Sequence, residues 1–247
     1  MNPAAVGFQC PDDVAAGNAG VRRPRRTGGL RGAARRWGTV TLTLIGVNVA
    51  MFVLTAVLTG INGGNPLENY RSALFQRLAQ VPVFVDAGDW WRPISAAFLH
   101  YGVVHLALNM ISLLVFGAEL ERLLGRGRYL TVYLVSIIGG AAAIQLLGDP
   151  FGQVAGASTA IYGLMGAFGV VLVHQKQDLR GLLTLLGINL VISFLPGVSL
   201  IGHLGGLVGG AAAAAVLVAA RRRRPLAIGG VGVLVGVLLV LVYAGGG

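Results

Sequence analysis

Long apolar runs alternate with short charged or glycine-rich gaps along the chain. A helix needs roughly 20 mostly apolar residues to cross a bilayer, and seven runs approach that length: Val40–Gly60, Val103–Phe116 with its flanks, Tyr129–Leu147, Ala155–His174, Leu179–Leu195, Val198–Ala220 and Leu226–Tyr243. The fifth run is short, and Pro196–Gly197 predicts a sharp break before the sixth. The pattern therefore predicts an all-α polytopic membrane protein with seven spans.

Basic residues concentrate in alternate gaps between these runs. Four gaps hold seven, three, two and four basic residues, or sixteen of the 19 in the chain: Arg22–Arg36, Arg122–Arg128, Lys176–Arg180 and Arg221–Arg224. Cytoplasmic loops of membrane proteins carry an excess of Lys and Arg. The sequence therefore predicts a multi-pass protein of the cell membrane, with a cytoplasmic N-terminus and an extracytoplasmic C-terminus.

Composition excludes several function classes. The chain is 55% hydrophobic and 11% charged, with a formal charge of +10. That charge lies in the gaps and forms no stripe interleaved with aromatic residues, which argues against nucleic acid as a partner. Cys10 is the only cysteine, so neither an intrachain disulfide nor a cysteine-based metal site is expected.

Three segments are expected along the chain. Residues 1–36 are predicted to be a basic, disordered cytoplasmic tail without a cleaved signal peptide. Residues 37–220 form the helical core, whose first span serves as an uncleaved signal anchor. Residues 221–247 supply a basic loop and the seventh span. The long outer gap from Ile61 to Gly102 contains Trp90–Trp91, and because indoles favour the membrane interface we expect this loop to lie partly in the outer leaflet.

A few polar residues occupy spans where lipid disfavours them. His105 and Asn109 lie in span two, Ser158 begins span four, and His203 lies in span six. All three spans enter the membrane from the outside, so these residues sit at a similar depth below the outer surface. Polar groups inside spans indicate function by default, although each of them alone is more often structural. Together they predict a shared cavity.

Such a cavity suits covalent catalysis. Histidine is the usual base that activates a serine hydroxyl, and the available carboxylates lie too far from this depth for a Ser-His-Asp triad. We therefore predict a dyad of Ser158 and His203, with Tyr162 stacked on the histidine ring. The unpaired backbone N–H groups at the helix start, with His105 and Asn109, would surround an oxyanion. Gly206 and Gly210 would let two spans approach closely.

Five motifs in order resemble the rhomboid family of intramembrane serine proteases over roughly residues 40–220. The motifs are WWRPISAAFLH, HLALNM, FGAELERLLG, GASTAIYG and GHLGGLVGG. The resemblance implies a six-helix core, here followed by a seventh C-terminal transmembrane helix. It also implies cleavage, near the outer face, of helix-destabilised transmembrane segments in other membrane proteins, without a metal or another cofactor.

The resemblance also assigns roles to individual residues. It implies that Ser158 is the nucleophile and His203 the general base, with His105, Asn109 and the Ser158 backbone N–H as the oxyanion hole. Further residues with supporting or structural roles are Gly156, Tyr162, Trp91, Arg92, Glu121, Gly206 and Gly210. The fifth span and the connector Pro196–Ser199 would border a lateral entrance for substrate.

One position departs from the family pattern, which has glycine directly after the serine. Thr159 stands there, and a β-branched residue would be strained if a positive φ were needed. Two alternatives therefore stay open. A rhomboid-like protein that binds membrane-protein clients with little or no catalysis is one of them. A transporter is the other, but the sequence has neither the inverted repeat nor the even span count typical of that class.

Overall fold

The computed structural model describes residues 2–3, 8–12, 16, 29–193 and 198–244 of the 247-residue chain. Residues Met1–Ala33 form a compact unit of their own, in which two-residue strands β1 (Asn2–Pro3) and β2 (Phe8–Gln9) pair antiparallel. Helix α1 comprises Leu30–Trp37. The end of the predicted tail is therefore helical here, most of the remaining tail lies outside the described residues, and disorder of residues 1–36 stays a prediction.

The remainder of the described chain is almost entirely helical, which confirms the all-α polytopic fold. Seven helices correspond to the seven predicted spans: α2 (Thr39–Ile61), α6 (Gly102–Leu124), α7 (Arg126–Leu147), α8 (Ser158–His174), α9 (Arg180–Ile192), α10 (Leu200–Ala219) and α11 (Arg224–Tyr243). By length and hydropathy, five of the helices in the described ranges qualify as candidate membrane spans, and α8 and α9 are shorter apolar helices. The break predicted at Pro196–Gly197 lies outside the described residues.

The long loop between α2 and α6 is folded rather than extended. It contains two 3₁₀ turns (Pro66–Arg71 and Ala96–Phe98) and three short helices: α3 (Ala73–Leu78), α4 (Pro82–Asp86) and α5 (Arg92–Ser95). Phe75 and Leu99 are buried in a small core of the loop, whereas the Trp90 side chain is 68% exposed. Immersion of this loop in the outer leaflet stays a prediction.

The loop is braced by the Trp–Arg pair that the sequence assigned a structural role. Arg92, which is 5% exposed, pairs through Nε with Asp89 at 2.7 Å and donates through Nη1 to the carbonyls of Gln76 and Ala79, both at 2.8 Å. The Trp91 indole N–H donates to the Arg77 carbonyl at 3.1 Å. The two side chains thus tie α5 to α3.

Helix α11, the seventh span, packs against the core both near its start, where Ala227 is buried, and at its last turn. Its Val242 is fully buried in a cluster with Val85 of α4 and Ala141 of α7. The Tyr243 hydroxyl donates to the Trp90 carbonyl at 2.7 Å. The last turn of the seventh helix therefore holds the loop that joins α2 to α6.

Basic residues that follow α6 and α10 lie together at the end of the helices opposite the last turn of α11. Arg126 donates to the Thr39 hydroxyl at 3.0 Å, and Arg128 donates to the Arg221 carbonyl at 3.4 Å. Arg221 also lies 3.5 Å from the His174 ring, where α8 ends. The starts of α2, α7 and α11 and the ends of α8 and α10 therefore share one end of the protein.

Glu121, near the end of α6, caps the start of α2. Its carboxylate accepts hydrogen bonds from the backbone N–H groups of Val40 and Thr41 at 3.0 and 2.8 Å, and from the Thr41 hydroxyl at 2.9 Å. The first N–H groups of a helix have no partner within it, and an anion there is also favoured by the helix dipole. Gly38 makes room for the carboxylate, because a Cβ at this positive-φ position would overlap it.

We predict that Glu121→Gln lowers the stability of the protein by about 1–3 kcal/mol, because a buried carboxylate that satisfies two backbone donors is replaced by a neutral amide. Thermal unfolding in detergent measures this effect. The matched control is Glu119→Gln on the same helix, where a more exposed carboxylate pairs with Arg122 and we expect a loss of at most about 1 kcal/mol. Equal losses in the two variants would contradict the capping role.

Candidate active site

The side chains of Ser158 and His203 meet although 45 residues separate them. The His203 Nε2 atom lies 2.8 Å from the Ser158 Oγ atom. Ser158 is the first residue of α8, and His203 lies in the first turn of α10. A serine in hydrogen-bond contact with a neutral histidine is the geometry needed for proton transfer from the nucleophile.

Glycines allow α8 and α10 to approach this closely. A Cβ atom on Gly206 would overlap the Thr159 carbonyl, and one on Gly210 would overlap the Gly163 backbone. On the other side of α10, a Cβ on Gly205 would overlap the Gly139 carbonyl of α7 only 2.6 Å away. Small residues at i and i+4 let backbones touch in membrane proteins, and here they place α10 against both neighbours.

The His203 ring is held from its face and from its Nδ1 edge. The Tyr162 ring, one turn after Ser158, is stacked on it with 4.1 Å between centroids and 13° between planes. The Nδ1 atom lies 2.7 Å from the hydroxyl of Ser193, which also lies 2.7 Å from the Tyr162 hydroxyl. Ser193 was not among the residues predicted from the sequence. The only available signal was a serine next to the predicted break after span five.

His105 reaches the same cavity in a defined tautomer. Its Nδ1 atom accepts a hydrogen bond from the Tyr101 backbone N–H at 3.2 Å, so the ring proton of the neutral histidine is on Nε2. Gly156 lies against this edge at φ +139°, where a Cβ would come within 3.0 Å of Nε2. Glycine is required here both for its backbone conformation and for space.

Two further donors predicted for an oxyanion hole also lie at the cavity. The Asn109 amide donates to the His105 carbonyl at 2.8 Å, which leaves its second N–H for another acceptor. The Ser158 backbone N–H belongs to the first residue of α8, where helical N–H groups have no intrahelical partner. Ala157 precedes it and has no polar side chain to cap the helix.

These groups line a cavity of about 180 Å³ between α6, α8, α9 and α10. Its wall is mostly apolar, with His105, Asn109, Ser158, Tyr162, Asn189 and His203 among its polar members. The predicted catalytic and oxyanion residues are therefore brought to one pocket. His174 is not, because it ends α8 at the basic end of the protein.

Thr159 adopts helical backbone geometry in α8. Among the described residues, Lys176 is the one non-glycine position with a positive φ, so the strain considered for threonine does not arise in this conformation. Its side chain packs on α7, where a Cβ at Gly140 would come within 2.9 Å of the Thr159 Cβ. The glycine at 140 thus provides the room that the larger side chain needs.

His100, which precedes α6, is fully buried beside His105, with ring centroids 5.2 Å apart. Neither of its ring nitrogens has a hydrogen-bond partner within the described part of the chain. Burial, together with the nearby His105 ring, lowers the pKa of His100 from 6.5 to about 3. His100 therefore stays neutral and supports the loop that positions His105.

The chain is similar to known proteins of one family. The family model described as Rhomboid domain matches residues 87–220 of the chain. The chain belongs to the rhomboid family. Among its rhomboid relatives, RHOMBOID-like protein 6, mitochondrial, of Arabidopsis thaliana is 33% identical over 212 residues, which cover 73% of this chain and 69% of that protein.

Two bacterial rhomboid relatives are named proteases. The rhomboid protease GluP of Bacillus subtilis is 34% identical over 178 residues, covering 70% of this chain but only 33% of GluP. The rhomboid protease AarA of Providencia stuartii is 28% identical over 198 residues, covering 68% of this chain and 69% of AarA. The chain thus spans about a third of GluP and about two thirds of AarA.

Stability should fall as pH decreases from 6.5 towards 3, partly through His100. The unfolded chain binds a proton at this histidine below its ordinary pKa of 6.5, whereas the folded protein binds it only near pH 3. This difference contributes up to about 1.4 kcal/mol per pH unit over that window. Replacing His100 by phenylalanine should flatten the profile of unfolding free energy against pH.

Denaturant unfolding between pH 7 and 4 measures the two profiles. His174→Gln, which removes an exposed histidine at the end of α8, is measured alongside as the control. Parallel profiles for the parent and His100→Phe would contradict a buried neutral His100.

Proposed function

We propose that this protein is an intramembrane serine endopeptidase that uses a Ser158–His203 dyad. The observation that carries the proposal is the 2.8 Å contact between His203 Nε2 and Ser158 Oγ in a pocket that also contains oxyanion donors. A serine in a span is commonly bonded back to its own helix. Here the hydroxyl is bonded to a histidine from another helix.

The proposed reaction begins with attack on a peptide carbonyl. Ser158 Oγ forms a bond to the carbonyl carbon while its proton moves to His203 Nε2. The tetrahedral intermediate collapses when His203 returns that proton to the leaving amine, which breaks the C–N bond and leaves an acyl-enzyme. Water then attacks the ester carbonyl while His203 takes its proton, and His203 returns that proton to Ser158 Oγ as the ester C–O bond breaks, which releases the acid product and the free serine.

The negative charge that develops on the carbonyl oxygen needs fixed donors. The Nε2–H of His105, the free amide N–H of Asn109 and the backbone N–H of Ser158 are the candidates. Removal of one such donor typically costs about 10²–10³ in kcat. The hydrogen bond from Tyr101 to His105 Nδ1 supports this role because it directs the His105 proton into the pocket.

The length of α8 supports cleavage below the outer surface. Its 17 residues extend over about 26 Å, which is less than the roughly 30 Å of a bilayer core. If its His174 end lies at the cytoplasmic surface, Ser158 lies inside the outer leaflet. A substrate helix must unwind there, and because unpaired backbone is expensive in lipid, helix-destabilised transmembrane segments are the proposed substrates.

The proposed location is the cell membrane, with the N-terminus cytoplasmic and the C-terminus outside. The charge pattern supports this orientation, since the described basic residues that follow α6, α8 and α10 lie at one end of the helices and Ser158 lies towards the other. Substrate would enter between α9 and the rest of the core. Part of the connector expected to border that entrance, residues 196–197, lies outside the described residues.

The competing function is binding of membrane-protein clients with little or no catalysis. Thr159, in place of the usual glycine, is the feature that favours it, and the relative named only RHOMBOID-like keeps it open. Helical geometry at Thr159, with space provided by Gly140, favours the protease instead.

We predict that a fluorophosphonate probe labels the detergent-purified protein and that Ser158→Ala abolishes labelling. Cleavage of a reconstituted transmembrane substrate should fall by at least about 10³-fold in both Ser158→Ala and His203→Ala, because each removes one half of the dyad. The control is Thr131→Ala, which removes an exposed hydroxyl bonded to its own helix and should leave both rates unchanged.

The variant Thr159→Gly separates the two functions. Labelling of the parent protein at Ser158 supports the protease, whatever Thr159→Gly does. A folded parent and a folded Thr159→Gly that both fail to label would contradict the protease and favour client binding.

A further inference from the structure

Ser193, immediately after α9, joins three groups through one hydroxyl. The oxygen lies 2.7 Å from His203 Nδ1, 2.7 Å from the Tyr162 hydroxyl and 2.9 Å from the Asn189 carbonyl oxygen. Ser193 is 2% exposed, so water does not compete freely for these contacts. The three contacts therefore use all of the hydrogen-bonding capacity of the Ser193 hydroxyl, which fixes the position of each proton.

A hydroxyl has one proton to donate and two lone pairs to accept with. The Asn189 carbonyl can only accept, so the Ser193 proton must point to it; otherwise two acceptor oxygens would face each other at 2.9 Å. The two remaining contacts are then filled by donors, namely the Tyr162 O–H and the His203 Nδ1–H. His203 therefore carries its proton on Nδ1 and presents the lone pair of Nε2 to Ser158.

We propose that Ser193 is a positioning residue that selects the base-competent tautomer of His203. The inference rests on the proposed function, and it assigns to a neutral hydroxyl the orienting part that a carboxylate plays in a Ser-His-Asp triad. Within the described residues, no carboxylate is hydrogen-bonded to His203. A hydroxyl also avoids the cost of burying an extra charge at this depth.

Because Ser193 directly follows α9, its contact with His203 depends on how the end of α9 packs against the core. Most apolar side chains along α9 are exposed, including Leu183 and Val191 at 59% and 71%. Leu182, near the start of α9, is buried in the core, and Ser193 is the buried polar contact at the other end. Displacement of the end of α9 would remove the acceptor that fixes the His203 proton, so the rate of the chemical step should depend on how this end of α9 is docked.

Ser193→Ala should slow the chemical step and leave substrate binding nearly unchanged. We expect kcat to fall roughly 10- to 100-fold, less than on loss of the base itself, with KM within about twofold because the substituted group faces His203 rather than substrate. Ser193→Thr keeps the hydroxyl and should recover most of the rate. Thr184→Ala is the matched control, since Thr184 on α9 also bonds to the carbonyl four residues earlier, at 2.9 Å, but is exposed.

The tautomer itself is read by ¹⁵N NMR of histidine-labelled protein, in which protonated and unprotonated ring nitrogens have separate shifts. The parent and Ser193→Thr should show His203 protonated at Nδ1, and Ser193→Ala should show a mixture or the opposite tautomer. A purely structural serine would lower the melting temperature without changing these shifts. Parent-like shifts and parent-like kcat in folded Ser193→Ala would overturn the proposal.

Two further variants keep the outcomes distinct. If Ser193→Ala does not fold, Ser193→Cys provides a weaker acceptor, and an intermediate kcat is expected; a parent-like kcat would contradict the inference. Ser158→Ala tests the proposed function separately. If the Ser158→Ala variant still cleaves the substrate as the parent protein does, the proposed dyad is wrong. If only Ser158→Ala loses activity and Ser193→Ala does not, the dyad stands and the role of Ser193 is wrong.

Discussion

The close contact between α8 and α10 is the interaction on which the geometry of the site depends. The two helices approach until backbone touches backbone, since a side chain on Gly206 would overlap the Thr159 carbonyl and one on Gly210 would overlap Gly163. This contact brings the first residue of α8 beside the first turn of α10. Lipid offers no hydrophobic force to drive such packing, so van der Waals contact and interhelical hydrogen bonds must supply it. The hydrogen bond between Ser158 and His203 is consequently part of the packing as well as of the proposed chemistry.

The hydrogen-bond partner at Nδ1 determines which ring nitrogen carries the proton in each of the two pocket histidines, His105 and His203. The Tyr101 backbone donates to the Nδ1 of His105, which places the proton of that ring on Nε2, where an oxyanion would need a donor. Ser193 lies at the Nδ1 of His203 and, by the proton count above, leaves Nε2 free to accept from Ser158. Identical side chains thus acquire different roles from single contacts, without a buried charge. Neutral groups suit a site enclosed by helices that must also cross a membrane.

Local patterns in the sequence predicted much of this arrangement. The residues whose roles were not predicted depend on contacts between distant parts of the chain. Hydropathy located all seven helices, and depth arguments brought Ser158, His203, His105 and Asn109 to one pocket. Ser193 was missed because its role depends on where α9 ends in three dimensions, which hydropathy does not determine. The packing of Thr159 was also beyond the sequence, since the compensating Gly140 lies on a different helix. The carboxylate of Glu121 was predicted to be structural, but its partners, 80 residues away at the start of α2, were not predictable from any local pattern.

The most direct measurement is the rate of fluorophosphonate labelling at Ser158 in Gly206→Ala, compared with Gly232→Ala. A methyl group at Gly206 must separate α8 from α10, whereas one at Gly232, on α11, meets open space. We expect folded Gly206→Ala to lose most of its labelling and Gly232→Ala to label as fast as the parent protein. Equal labelling of both variants would mean that the glycine contact does not hold the serine against the histidine, which would contradict the central claim.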